Sequence, residues 1–342
     1  MSLLNPLRLT GAPGSPYTRK MLALLRYRRL PYEFILGNPP AAAGLPKPKV
    51  PLLPTFYLPN AQGRVEAVVD STPLIRRFEA DFPDRKVVST DPVVAFIDYL
   101  IEDYADEWLT KAMFHYRWRY QADIDKAGEI LPRWRDIAGA DADLARRKAA
   151  VQERQISRLY VVGSNATTAG VIEASYVRFL DIFSDLLASQ PFIAGSRPGA
   201  ADFGVFGQLT QLARFDPTPA SLTLTRAPRV YAWVDVVDDL SGLAVTAEDF
   251  IGRSALRDRL GPLLNEIGRV YVPFLLANGR AVANALPEMT TTIDGKPWQQ
   301  PTFPYQAKCL TWLRAQWSGL TTYDRDETRA ILADSGVMSL FE

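Results

Sequence analysis

The chain has 342 residues, 47% of them hydrophobic and 23% charged, enough to build full cores in one large or two ordinary domains. Its 39 basic residues nearly cancel 38 acidic ones, and a net charge of +1 lacks the basic excess of a general nucleic-acid binder. One cysteine, Cys309, excludes an internal disulfide, a cysteine metal cluster and dithiol redox chemistry, and a single histidine, His115, argues against a histidine-rich metal centre. The absence of disulfides is compatible with a reducing cytosol. Met1 to Pro6 has neither a charged start nor a long apolar stretch, so no signal peptide is expected. No uncharged apolar run reaches membrane-spanning length.

Leu7-Arg8-Leu9-Thr10 reads as a strand and Arg19 to Tyr27 as a helix, with Ser15-Pro16-Tyr17-Thr18 in the turn between them. A helix opening there points free backbone N–H groups and a partial positive charge at its first turn, a place that stabilises a thiolate. Tyr32 to Ile35 is a short strand, and residues 37–51, rich in Gly, Pro and Ala, are a loop. Leu53 to Leu58 reads as a strand, residues 59–63 as a turn and Glu66 to Val69 as the partner strand. Asp70-Ser71-Thr72-Pro73 opens a helix with Leu74, Ile75 and Phe78 on one face. A linker begins at Phe82.

From Asp91 the pattern is helical: Val94, Ile97, Ile101, Tyr104 and Trp108 share one face. Glu102, Asp103, Asp106 and Glu107 lack Glu-x-x-His partners and are expected on a solvated face with Asp98, not at a metal. His115 to Tyr120 reads as a helix with core aromatics and solvated arginines, not as a stacking surface for nucleic acid; His115 itself is expected to be a packed or surface histidine. Further helices are expected at 142–160, 168–188, 200–213 and 227–240, so the second domain is all-helical. Residues 256–286 read as helix with a break at Pro273 or Gly279. Residues 289–298 read as a hairpin or an extended segment, with Asp294-Gly295 as its turn, and two last helices fall near 305–317 and 325–334. Cys309 is expected to be a small buried hydrophobe.

The order strand, helix, strand, hairpin, helix is a thioredoxin-like layout. Ser15-Pro16-Tyr17-Thr18 resembles the Cys-Pro-Tyr-Cys turn of glutaredoxins with both sulfurs replaced by hydroxyls. Three further features join it: a proline heading the third strand (Pro54, preferred to Pro51), the pair Asp70-Ser71, and Pro191 to Phe203 before a helix. In this order they resemble the glutathione transferases that use a serine, over about residues 7–240. The last motif departs from the family pattern. Gly199 stands where a capping Ser or Thr is usual, so the reciprocal hydroxyl bond with Asp202 is missing.

The resemblance implies an α/β thioredoxin-like glutathione-binding domain over 1–83, an all-α domain over 92–245 and a mostly helical extension over 246–342 whose role it does not assign. It implies a cis proline and glutathione as co-substrate, without a metal. Ser15 would donate a hydrogen bond to the glutathione thiolate. Tyr17, Leu53, Pro54, Asp70, Ser71 and Lys49 would contact glutathione, with Asp70 and Ser71 at its γ-glutamyl end and Lys47 and Lys49 near its glycine carboxylate. The thiolate would attack a hydrophobic electrophile in a pocket drawing on Tyr104, Trp108, Phe114, Tyr116, Trp118 and Tyr120. A cytoplasmic homodimer with a detoxifying role, joined through the junction of both domains, is the matching expectation, with no nucleic-acid or membrane partner. Two alternatives share the motifs: a non-catalytic protein reusing the fold for binding or assembly, and a glutathione-dependent reductase or lyase.

Overall fold

Strand β1 (Leu7–Thr10) pairs in parallel with β2 (Tyr32–Ile35) and antiparallel with β3 (Thr55–Pro59), which pairs antiparallel with β4 (Val65–Val68). The sheet order is β2–β1–β3–β4. A parallel pair needs a crossover, and α1 (Pro16–Tyr27) supplies it. Helix α2 (Ser71–Asp81) follows the β3–β4 hairpin. Leu7, Leu9, Phe56 and Leu58 meet Met21, Leu25, Leu74 and Phe78 in the core, completing the thioredoxin-like unit. The computed structural model describes residues 6–36, 44–246 and 249–342; part of the expected loop, residues 37–43, lies outside the described residues.

Helix α3 (Pro92–Tyr104) starts on Asp91, whose carboxylate accepts from the N–H groups of Val93 and Val94 at 2.9 and 3.1 Å. A wide π turn at Ala105–Leu109 leads into α4 (Thr110–Arg119). Then come α5 (Gln121–Arg135), α6 (Asp141–Ile156), α7 (Ala169–Leu187), α8 (Ala200–Leu209), α9 (Pro217–Arg226) and α10 (Pro228–Asp238). Sequence periodicity missed α5 and α9. Gly128 and Pro132 inside α5 hide a helix behind residues that usually end one, whereas Asp216-Pro217 at the start of α9 is itself a helix-opening signal.

Helix α8 regains its cap from another helix. Asp202 accepts from the N–H groups of Gly199 (2.9 Å) and Ile193 (2.7 Å), while Asp98 of α3 accepts from Ala200 and Ala201, both at 3.1 Å. A β-carbon on Gly199 would collide with Asp98 Oδ1, so the glycine makes room for the carboxylate that replaces the missing hydroxyl.

The C-terminal segment holds α11 (Arg253–Glu266), α12 (Val272–Ala283), β5 (Glu288–Ile293), β6 (Lys296–Pro301), α13 (Pro304–Gly319) and α14 (Thr322–Leu332). The hairpin turns at Asp294-Gly295, both at positive φ (52° and 70°), as its sequence predicts. No break occurs at Pro273 or Gly279. Helix continues through a π turn at Ile267–Tyr271, and this local widening accommodates Pro273, which has no N–H to give to the preceding turn.

Two surface expectations are overturned. Asp98, Glu102, Asp103, Asp106 and Glu107 are buried, because α3 and its π turn are covered by α8 on one side and by α11, α13 and α14 on others. Arg117 is buried too: its guanidinium pairs with Asp216 at 2.9 Å, donates to Gln211 and to the Gly14 carbonyl, and lies over the Phe215 ring. Arg119 is exposed, as expected. His115 is packed between Ser164 and Glu173, and Cys309 is buried. Among the described residues no helix is long and apolar enough to cross a membrane.

Candidate functional site

Ser15 is the N-cap of α1. Its Oγ accepts from the Thr18 N–H at 3.2 Å, and its own proton reaches the Leu53 carbonyl at 3.4 Å, the long end of hydrogen bonding. The Leu53-Pro54 peptide bond is cis. The first turn of α1 and the entry to β3 therefore face each other across one weak bond. The Tyr17 side chain is half-buried, and its hydroxyl donates to the Asp106 carbonyl at 2.7 Å, leaving the ring and the backbone N–H for any ligand. Lys47 and Lys49 are exposed in the segment before Pro54, and among the described residues neither makes a side-chain hydrogen bond.

Asp70 and Ser71 stand at the start of α2. Asp70 adopts φ 84°, a conformation that L side chains rarely take and that surrounding contacts must hold. Burial raises its pKa above the ordinary carboxylate value, and the hydroxyl of Tyr305, donating to Oδ2 at 2.8 Å, works in the other direction. Ser71 Oγ accepts from Lys20 Nζ at 3.2 Å. No direct hydrogen bond joins Ser15 to Asp70 among the described residues.

Beneath Ser71 lies a charge network that sequence reasoning missed. Lys20 Nζ meets Glu102 Oε1 at 2.7 Å and Asp106 Oδ2 at 2.5 Å, and Arg76 meets the other oxygen of Glu102 at 2.9 Å. Burial alone would lower the Lys20 pKa, but the two carboxylates outweigh it and the value rises. Burial alone would raise Glu102, and Lys20 with Arg76 bring it below its usual value. The network ties α1 and α2 to the π turn after α3. One signal was visible: Lys20 sits against the apolar run Met21 to Leu25. Tyr305, 235 residues from Asp70, carried none.

The expected co-substrate wall is not a wall. Tyr104 packs on Phe179 and Tyr271, and Trp108 on Phe274 and Trp298; Tyr116 and Trp118 are also buried, while Phe114 and Tyr120 are half-buried. Tyr271, Phe274 and Trp298, outside the family resemblance, fill part of that space. Beside the first turn, a recess of about 340 Å3 is lined by apolar Pro13, Trp134, Phe215 and Val234 and by polar Thr210, Gln211 and the ion pairs Arg19–Asp238 and Arg214–Asp235.

A thioredoxin-like unit with a hydroxyl at the first helix cap, followed by a helical bundle, is the two-part plan of the glutathione transferases. Residues 9–86 match the model of the glutathione S-transferase N-terminal domain and residues 148–235 that of the glutathione S-transferase C-terminal domain. The chain belongs to the glutathione S-transferase family. Among solved structures it is similar to a glutathione S-transferase from Methylobacterium radiotolerans in complex with glutathione sulfonate, with 21% identity over 68% of this chain and 90% of that one and a TM-score of 0.37. It is also similar to the Tau class glutathione S-transferase of mango, Mangifera indica (14% identity, 71% and 95% covered, TM-score 0.41), and to the beta-etherase LigF of a Sphingobium species (15%, 71% and 96%, 0.41). No curated protein matches the chain.

Proposed function

We propose that the protein is a glutathione transferase in which Ser15 activates the thiol of bound glutathione for attack on a hydrophobic electrophile. The observation that carries this is the state of the Ser15 hydroxyl: it stands at a helix N-terminus with its proton held only by a 3.4 Å bond to the Leu53 carbonyl. That proton is free to turn to a thiolate, and the helix dipole favours the same charge. Leu53 and Pro54 would pair with the peptide backbone of glutathione, with Tyr17 beside them. Asp70 and Ser71 would take the ammonium and carboxylate of its γ-glutamyl end, with Lys20 holding the Ser71 hydroxyl in place, and Lys49 would meet the glycine carboxylate. The electrophile would approach from the recess beside Pro13 and Trp134. Glutathione is the co-substrate, and no step calls for a metal.

Titration of the thiolate absorbance of enzyme-bound glutathione tests this. Ser15→Ala raises the bound thiol's pKa by up to about two units, equivalent to about 2.7 kcal/mol, with glutathione affinity nearly unchanged. The same substitution removes a helix cap and lowers stability by about 1 kcal/mol. An unchanged thiol titration would remove Ser15 from the chemistry. A non-catalytic binding role is the second reading, favoured by the burial of Tyr104 and Trp108 beneath the C-terminal segment. It predicts glutathione binding without turnover of any electrophile.

A further inference from the structure

Tyr305 lies in the first turn of α13, and its hydroxyl donates to Asp70 Oδ2 at 2.8 Å. Both residues are half-buried, so the pair stands at the edge of solvent and not within the sealed core. The phenol ring is fixed from its own side, against Phe303 at 6.4 Å and edge-on to Trp312 at 6.0 Å between centroids. It is a rigid donor presented to a carboxylate whose backbone is held at φ 84°. A carboxylate has lone pairs for several donors, so one phenol aims Asp70 without exhausting its capacity to accept. An α-ammonium brought to the start of α2 would meet an acceptor already oriented. A ring face nearby also suits a cation.

We propose that the C-terminal segment is part of the ligand site, with Tyr305 as the positioning residue that aims Asp70 at the α-amino group of a γ-glutamyl ligand. This rests on the glutathione reading given above. The site then spans two parts of the chain, and ligand affinity depends on the docking of α13.

The test is calorimetric titration of the full-length protein and of Tyr305→Phe with two probes: reduced glutathione, and its analogue with hydrogen in place of the γ-glutamyl α-amino group. The variant keeps the ring and its packing and loses one hydroxyl. The expected result is a loss of about five- to tenfold in affinity for glutathione, as for a hydrogen bond that supports a charged contact, with the deaminated analogue within about twofold of its original affinity. Equal losses for both probes would make Tyr305 merely structural and overturn the proposal. Tighter binding of glutathione by the variant would overturn it in the opposite sense, showing that the phenol obstructs the site. A wild type that binds no glutathione beside a variant that does would have the same meaning and leave the glutathione reading intact. Silence from both proteins, each folded, would overturn the glutathione reading and the proposal with it.

Discussion

Lys20 is the side chain on which the junction of α1, α2 and the π turn depends. Removing one partner from a buried ion network leaves an uncompensated charge, at a cost of about 3–5 kcal/mol. Lys20→Met therefore lowers unfolding free energy by that order in urea titrations, although methionine matches the aliphatic stem. A loss below about 1 kcal/mol would show that Glu102 and Asp106 find other partners. The neighbouring acids set a pH dependence. Burial pushes Glu107 up to about 8 and Asp103 up to about 7, above their unfolded values. Between pH 7 and 5 the folded chain keeps protons that the unfolded chain releases, so stability rises as pH falls, by up to about 1.4 kcal/mol per pH unit for each such acid. Lys111, lowered to about 7 by burial, acts above this window. His115, held below its usual value by burial, opposes the trend by at most one proton. The unfolding midpoint should climb from pH 7 to pH 5, and Glu107→Gln should flatten the climb; a flat wild-type profile would mean that these acids titrate normally.

At the scale of elements, α8 is built to let its neighbours approach. A β-carbon on Gly207 would come within 2.5 Å of the Pro16 carbonyl, a backbone atom in the first turn of α1. Gly207→Ala should destabilise the fold by about 1–3 kcal/mol, as overpacking does, and displace the Ser15 turn. Chemical unfolding measures the first effect and the glutathione thiol titration the second; an alanine tolerated in both would mean that α1 and α8 can slide apart freely. The order of the first six elements was legible because each boundary has a local cause: Ser15 and Pro16 open α1, and Asp70 with Pro73 marks α2. The β5–β6 hairpin was legible for the same reason, since Asp294-Gly295 needs no distant partner. Helix α5 was not, because Gly128 and Pro132 argue locally for a break that tertiary packing overrides; α9 carried a legible start in Asp216-Pro217. The acids of α3 were misjudged for a related reason. Periodicity shows which face is apolar, but whether the other face meets water depends on what the rest of the chain lays over it. At the candidate site, Ser15, Leu53, Pro54, Asp70 and Ser71 were picked from short motifs, whereas Lys20, Glu102, Asp106 and Tyr305 belong to it only through contacts across the fold.

At the scale of the whole molecule, the main hydrophobic core draws on residues from Leu7 to Leu340, beside a smaller cluster of Trp118, Ala127 and Phe215. Trp298 of β6 meets Trp108, Phe274 of α12 lies 3.9 Å from Lys111 Nζ, and Trp317 of α13 stacks on Phe341 and tilts against Phe96. Contacts of this kind couple the C-terminal segment to α3 and α4 energetically, so unfolding should be a single cooperative event. Tryptophan fluorescence and far-ultraviolet circular dichroism should then report the same denaturant midpoint, and separate midpoints would mean that the segment detaches first. The Tyr305–Asp70 bond gives this coupling a dimension in time. Asp70 leaves the ribosome long before residue 305 is polymerised, and at roughly 5–20 residues per second the interval is tens of seconds at the slow end. Throughout it, the nascent chain carries Asp70 without the hydroxyl that bonds its carboxylate in the finished fold.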